Sequence, residues 1–264
     1  MIYKCSDNDK EKIFSYIGEN YKNCLYAYAD LKQYSLKETF VNAWLYINHE
    51  NTVKALIFNY HNGAHVFAID LNFDVVEVSV LLKTLKLTMI NARKEIIEIL
   101  EPYFDTYKYD FGHIMEQNRT DLVRVDGIEV AEESDFHDMA EMLCSDYGIG
   151  AGYTIEEMES QLIERYTDKY GRNYILRKDG HIVAQASTGA EVSEFAMVVY
   201  VIVSEKYRRK GYATRVMESL CYDLRVEGKK TYLVCYEESA RLMYEKLGFK
   251  VCSDWGKLYY VVGN

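Results

Sequence analysis

The segment Val198–Leu224, VVYVIVSEKYRRKGYATRVMESLCYDL, decides how the second half of this chain folds. It opens on an apolar, largely β-branched run, Val198–Val203, which fits a strand buried on both faces. A polar, basic turn follows, Ser204-Glu205-Lys206-Tyr207-Arg208-Arg209-Lys210, and then Gly211. Beyond it Ala213, Val216, Met217, Leu220 and Leu224 recur at spacings that line one helix face. Strand, basic turn and helix together aim bare backbone N–H groups and the positive end of a helix dipole at one spot. A phosphate is the natural guest there. Gly211 lets such a guest approach the main chain with no Cβ in the way. Arg208, Arg209, Lys210 and Arg215 add charge-assisted donors.

Neither of the commoner phosphate loops is present, since G-x-x-x-x-G-K-[ST] and G-x-G-x-x-G are both missing. The residues that stand here, Arg208-Arg209-Lys210-Gly211-Tyr212-Ala213, resemble the [QR]-x-x-G-x-[GA] pyrophosphate loop of the GNAT (GCN5-related) N-acetyltransferase family. Upstream, Val201-Ile202-Val203 resembles the family's strand whose edge pairs with the pantetheine arm of coenzyme A. Downstream, Ala240-Arg241-Leu242-Met243-Tyr244-Glu245-Lys246-Leu247-Gly248-Phe249 is similar to the family's closing helix. The resemblance spans roughly Gly127–Val262 and is nearest to the FR47-like branch, which shares the wording Gly211-Tyr212-Ala213-Thr214. It implies acetyl-CoA as co-substrate, held by Val201, Ile202, Val203 and the turn Arg208 to Thr214. It also implies an α/β (α+β) fold with a mixed, mostly antiparallel, splayed sheet.

Composition sets the outer bounds. The chain has 264 residues, enough for two domains of ordinary size, and 49% of them are hydrophobic. No apolar run approaches the roughly 20 residues of a membrane span. The N-terminus, Met1-Ile2-Tyr3-Lys4-Cys5-Ser6-Asp7, has no apolar signal core, so the expected location is cytoplasmic. Cys5, Cys24, Cys144, Cys221, Cys235 and Cys252 form no C-x-x-C pair and read as reduced core residues; the scattered histidines predict no metal site. The formal net charge of −10 argues against nucleic acid as a partner and favours a cationic or neutral substrate. The oligomeric state stays open, a homodimer included.

Taken in order, residues 7–19 predict a helix, and Val41–Asn48 alternates as a strand. Thr52–Asn59 and Ala64–Ile69 follow as strands about an Asn62-Gly63 turn. Val75–Phe104 looks mostly helical up to Pro102, and 105–125 is polar and mixed. The domain boundary is expected near 118–126, giving domains 1–122 and 123–264. The second half predicts a strand at Gly127–Ala131, a helix around Phe136–Leu143, a flexible break at Gly148–Gly152 and a capped helix from Thr154. Strands Asn173–Arg177 and His181–Thr188 flank the Asp179-Gly180 turn. After the long helix come strand Thr231–Cys235, helix Ser239–Leu247 and strand Leu258–Val262. Both halves carry a three-strand meander with a glycine at its central turn, so the first is expected to be a degenerate GNAT-like domain. There Leu71-Asn72-Phe73-Asp74 stands where the basic loop would be.

Acyl transfer to an amine needs a polarised thioester carbonyl, an unprotonated amine and a proton for the departing thiolate. The resemblance carries the general acid onto Tyr244. Glu191 and Glu194, at the start of the splayed strand, are the candidates for general base. Glu237 stands where the family usually has a cofactor-contacting asparagine, which puts that contact in question. Three functions are then open. They are transfer of an acetyl group to the primary amine of a small or amino-acid-like molecule, acetylation of a protein or peptide, and a non-catalytic coenzyme sensor.

Overall fold

In a computed structural model, which describes residues 1–150 and 153–260, the chain divides into two compact units. The first comprises Met1–Ile114, Cys235–Glu237 and the stretch from Val251 on. The second comprises Met115–Val234 and Glu238–Lys250. The division falls at 114/115, upstream of the 118–126 expected, and the first unit takes back most of the last strand. No helix among the described residues is long and apolar enough to cross a membrane.

The first unit begins with β1 (Ile2–Lys4), α1 (Lys10–Ile17) and α2 (Leu25–Gln33). The meander β2 (Val41–Ile47), β3 (Val53–Tyr60), β4 (Gly63–Phe67) follows, then α3 (Val75–Thr84), β5 (Met89–Arg93), α4 (Lys94–Leu100) and β6 (Tyr107–Gln117). Strands β1 to β4 pair antiparallel, and β5 joins β4 in parallel, Gly63 opposite Met89. A side-chain period of two sends alternate residues to opposite faces. Ala43, Leu45, Phe58 and Phe67 therefore meet Ile13, Ile17 and Leu31 of α1 and α2. Ile57, Val66 and Ile90 meet Val78, Leu82, Ile96 and Leu100 of α3 and α4.

The second half of the chain repeats this order: β7 (Ile128–Val130), α5 (Phe136–Cys144), the single turn α6 (Tyr147–Gly150), α7 (Ile155–Thr167), β8 (Asn173–Lys178), β9 (His181–Glu191), β10 (Phe195–Val203), α8 (Tyr212–Val226), β11 (Lys230–Cys235), α9 (Glu238–Lys246) and β12 (Phe249–Tyr260), the last of which belongs to the first unit from Val251 on. Again the meander is antiparallel, and β11 joins β10 in parallel. One face is covered by Phe136, Met139, Leu143, Met158 and Leu162 of α5 and α7, against Ile175 and Ile202. The other is covered by α8, which buries Val216, Met217, Leu220 and Leu224. Both units thus have the mixed, mostly antiparallel α/β architecture expected of the second and, in degenerate form, of the first.

Several elements differ from expectation. The helical stretch 75–104 is interrupted by β5, because Leu85 and Leu87 continue an apolar pattern past the true end of α3. The polar stretch 105–125 contains β6, in which only Gly112, Ile114 and Met115 are buried, so its period is faint. The first hairpin turns on His61-Asn62, not Asn62-Gly63: Gly63 already pairs with Tyr60, and His61 carries the positive φ of +48°. The second turns on Asp179 and Gly180, at φ +52° and +82°, the backbone a two-residue hairpin loop requires. The last strand starts at Phe249, not Leu258. Gly148–Gly150 of the expected break is helical; Ala151 and Gly152, like Val262 of the expected last strand, lie outside the described residues.

Candidate functional site

The parallel pair β10–β11 positions the site. Their register runs from Phe195 opposite Lys230 to Val198 opposite Leu233 and then stops. Strand β10 continues to Val203 along β9 alone, so its edge facing β11 opens from Val199 onward. Within that open length lies a β-bulge, Val199 opposite Ser187 but Ile202 opposite Gln185. Tyr200 sits in the bulge at φ +55°, a conformation a bulky residue rarely adopts, and a bulge re-aims the backbone groups around it. Val201, Ile202 and Val203 thus stand on an open strand edge. Ligands of α/β sheets gather beyond the carboxyl ends of parallel strands, and α8 and α9 both start from that end of the pair.

The turn between β10 and α8 places Arg208, Arg209, Lys210, Gly211, Tyr212, Ala213 and Thr214 together at the head of α8. Gly211 is the N-cap, at φ +77° and ψ +9°, and it has no side chain to bond the first N–H groups of the helix. A Cβ built on Gly211 would meet no atom within 4 Å, so the glycine is required by its left-handed backbone and not by crowding. Arg208 folds back, its Nε donating to the Val203 carbonyl at 3.2 Å and its Nη2 to Asp146 at 3.4 Å. Arg209, itself at φ +65°, and Lys210 stay exposed, with the Lys210 ammonium 5.1 Å from the Tyr207 ring centroid. Arg215 donates to the Asp126 carbonyl at 2.8 Å.

The first unit closes the corresponding helix end. The N-cap of α3 is Asp74, in extended backbone, and its Oδ1 accepts from Val76 N–H at 2.9 Å and Glu77 N–H at 3.1 Å. A carboxylate already occupies the place an anion would take there.

The acid–base candidates fall into two groups. Tyr244 is half-buried on α9, its ring edge-on to Phe249 at 5.7 Å between centroids. Glu191 and Glu194 lie at the other end of β10 from the open edge: Phe195 opens the strand and Tyr200 is five residues on, about 16 Å along a strand. Glu191 is also fully engaged. It accepts from Arg172 Nη2 and Lys229 Nζ at 2.7 Å each and from Thr188 Oγ1 at 2.6 Å, with its side chain only 5% exposed. Burial pushes its carboxyl up, but the hydrogen bonds from Arg172, Lys229 and Thr188 outweigh it and hold the group below the usual carboxylate range. A group so stabilised as the anion is a poor proton acceptor, and Glu191 is an anchor of the sheet end. Glu194 accepts from the Ser193 hydroxyl at 2.8 Å. Glu237 is exposed on the turn after β11, its carbonyl accepting from the Cys235 thiol at 3.3 Å.

The residues that do meet the bulge come from α7. Gln161 Oε1 accepts from the Tyr200 hydroxyl and from Arg165 Nη2, both at 3.4 Å, and the Arg165 guanidinium stands 5.3 Å from the Tyr200 ring centroid. Gln161 also lines a shallow pocket of about 470 Å³ with Tyr153, Glu156, Glu157 and Ser160. The backbone N–H of Glu156 and the Thr154 hydroxyl hold the Glu156 carboxyl below its ordinary range, so the pocket wall stays anionic. No sequence motif marks this group, because a bulge and the helix crossing it are tertiary features. Among the described residues no group of three or more His, Cys, Asp or Glu side chains is placed to hold a metal ion.

Comparison with known proteins adds a family. The model of the acetyltransferase (GNAT) family matches residues 136–249. No curated protein matches the chain. A GNAT acetyltransferase from Colwellia psychrerythraea superposes with a TM-score of 0.63 at 10% identity, over 99% of this chain and 100% of its own. A tandem GNAT protein from the clavulanic acid biosynthesis pathway gives 0.61 at 12% identity, over 100% and 99%. A Drosophila protein gives 0.68 at 10% identity, over 98% of each chain. At these identities the likeness is one of fold, and it extends over both units.

Proposed function

Residues 136–249 of this chain belong to the GNAT acetyltransferase family, and from that premise we propose that the protein transfers the acetyl group of acetyl-CoA to a primary amine of a small or amino-acid-like molecule. The observation that carries this reading is the open edge of β10 leading into an uncapped, glycine-headed helix with a basic turn. The diphosphate of the coenzyme is assigned to the N–H groups after Gly211, with Arg209 and Lys210 supplying countercharge. The pantetheine arm is assigned to the edge of Val199–Val203, where backbone groups lack a β11 partner.

The amine nitrogen attacks the thioester carbonyl carbon, the C–S bond breaks, and the departing sulfur takes a proton from Tyr244. The amine gives its own proton to water, because neither Glu191 nor Glu194 reaches the open edge, and the Tyr244 phenolate regains a proton from water. Backbone N–H groups near the bulge are suited to face the developing oxyanion. The acceptor is assigned to the pocket on α7, whose ionised carboxylates favour an ammonium-bearing molecule on approach. Titration calorimetry with acetyl-CoA, followed by a thiol-release assay over a panel of amines, tests the proposal. Binding and release together are expected. Binding without release on any amine makes the protein a coenzyme sensor, and release only with peptides makes it a protein acetyltransferase.

A further inference from the structure

Helix α3 of the first unit is apolar nearly all round. Val78 and Leu82 are buried, as a core-facing stripe should be. A surface helix normally sets polar residues opposite that stripe. Here Val76 and Val80, one turn apart, are 52% and 61% exposed. Ile69 and Leu71, in the loop that leads into the helix, are 50% and 45% exposed. The fold does not demand this. In the second unit α8 holds the same place, and its outer side carries Arg215, Glu218, Asp223 and Arg225, each in an ion pair or hydrogen bond. Large apolar side chains left exposed on one face of a helix mark an interaction site.

We propose that the outer face of α3 is the contact between two copies of this chain, packed antiparallel about a two-fold axis. The charges at its two ends are self-complementary. Asp70, Asp74 and Glu77 stand at the N-terminal end, where Asp70 pairs with Lys54 at 3.7 Å, Asp74 caps the helix and Glu77 pairs with the Met1 ammonium at 3.2 Å; Lys83 and Lys86 stand at the C-terminal end. Lys83 and Lys86 make no ion pair among the described residues. A two-fold axis near residue 78 sets Val76 of one copy on Val80 of the other and lays Lys83 and Lys86 over the 70–74 loop of the second copy. A two-fold contact uses one patch twice, so each acid–base pairing forms twice. The two helix dipoles also run in opposite directions. A lipid surface would instead ask for a basic rim on both sides of the apolar strip.

Sedimentation velocity of the full chain over a dilution series decides the matter. The unaltered protein is expected to sediment as a dimer that dissociates on dilution, and Val80→Lys as a monomer. The pair Lys83→Glu with Lys86→Glu is expected to raise the dimer Kd at least about tenfold, a change of about 1.4 kcal/mol. Circular dichroism verifies that each variant is folded, and the lysine pair decides alone should Val80→Lys unfold. A monomer at every concentration overturns the proposal, and so does a dimer that survives either change.

Discussion

Replacing Gly211 by aspartate rebuilds in the second unit the acidic plug that Asp74 provides in the first. The perturbation is clean because the site has room: a Cβ there would meet nothing within 4 Å. The cost to folding is conformational. Gly211 lies at φ +77°, and aspartate tolerates that region better than most residues, at about 1 kcal/mol. For a chain of this size that lowers Tm by a few degrees. The cost to binding is electrostatic. A carboxylate about 4 Å from a phosphate, at the effective dielectric of about 20 that suits a protein surface, repels it by about 4 kcal/mol per pair of unit charges. That is about a thousandfold in Kd. Gly211→Ala separates the two effects, since it carries the backbone cost without the charge and is expected to weaken binding by less than about tenfold. Calorimetric titration with acetyl-CoA reads the affinity, and a circular dichroism melt reads the fold. If Gly211→Asp stays folded and binds acetyl-CoA as tightly as the unaltered protein, the diphosphate does not sit at the head of α8, and the assignment of the loop is wrong.

Tyr244→Phe keeps the ring against Phe249 and removes only the proton donor, so steady-state kinetics should show kcat falling by about tenfold or more while Kd for acetyl-CoA, measured by calorimetry, is unchanged. An unaltered kcat would leave the thiolate without this acid. Glu191→Gln leaves Arg172 and Lys229 beside a neutral amide, and denaturant titration should show a loss of about 2 kcal/mol. Because the Glu191 carboxyl ionises more readily folded than unfolded, it contributes stability above the unfolded value of about 4.3 and loses it as pH falls through its lower folded value. Melting from pH 6 down to 2 (an interval of about four units around that value) should therefore show a steeper acid decline for the unaltered protein than for Glu191→Gln. Calorimetry should also give one acetyl-CoA per chain, since α3 is capped by its own aspartate; a stoichiometry of two would refute the contrast between the two helix ends.

The site was legible in sequence where local rules act alone. An apolar β-branched strand, a basic turn, a glycine and a 3.6-period helix each follow from spacing; the turn and α8 stand within a residue or two of expectation, and β10 ends where expected but starts three residues earlier, at Phe195. Hairpin β8–β9 was equally local. What escaped depends on partners distant in the chain. The bulge at Tyr200 exists because β10 must leave β11 while holding β9, and no pattern within VVYVIV encodes it. Glu191 looks like any loop carboxylate until Arg172, Lys229 and Thr188 close round it. Strand β12 lends residues 251–260 to a unit that begins at Met1, so the core it serves lies far away in sequence. Tyr236 and Trp255 pack in that first unit for the same reason, although both lie within the stretch that resembles the acetyltransferase domain.

The two units run through the same order of elements, and each uses its meander, a helix and a parallel strand to present one helix head at one strand end. The free donors of that head must find a partner in a side chain, in water or in a ligand. Asp74 reaches its donors from extended backbone at φ −77°, so the first unit satisfies them from within. Gly211 takes the opposite hand of φ and offers no side chain, so the second leaves them to whatever arrives. A glycine at this position gives up only a few tenths of a kcal/mol of helix stability relative to an aspartate cap, while leaving the donors without a side-chain partner from the cap itself. The basic turn reinforces the point: Arg209 and Lys210 are held exposed beside the bare head, while the turn before α3 carries Asp70 and Asp74 instead. The first unit therefore has the architecture without the anion seat, and the proposed coenzyme site lies in the second.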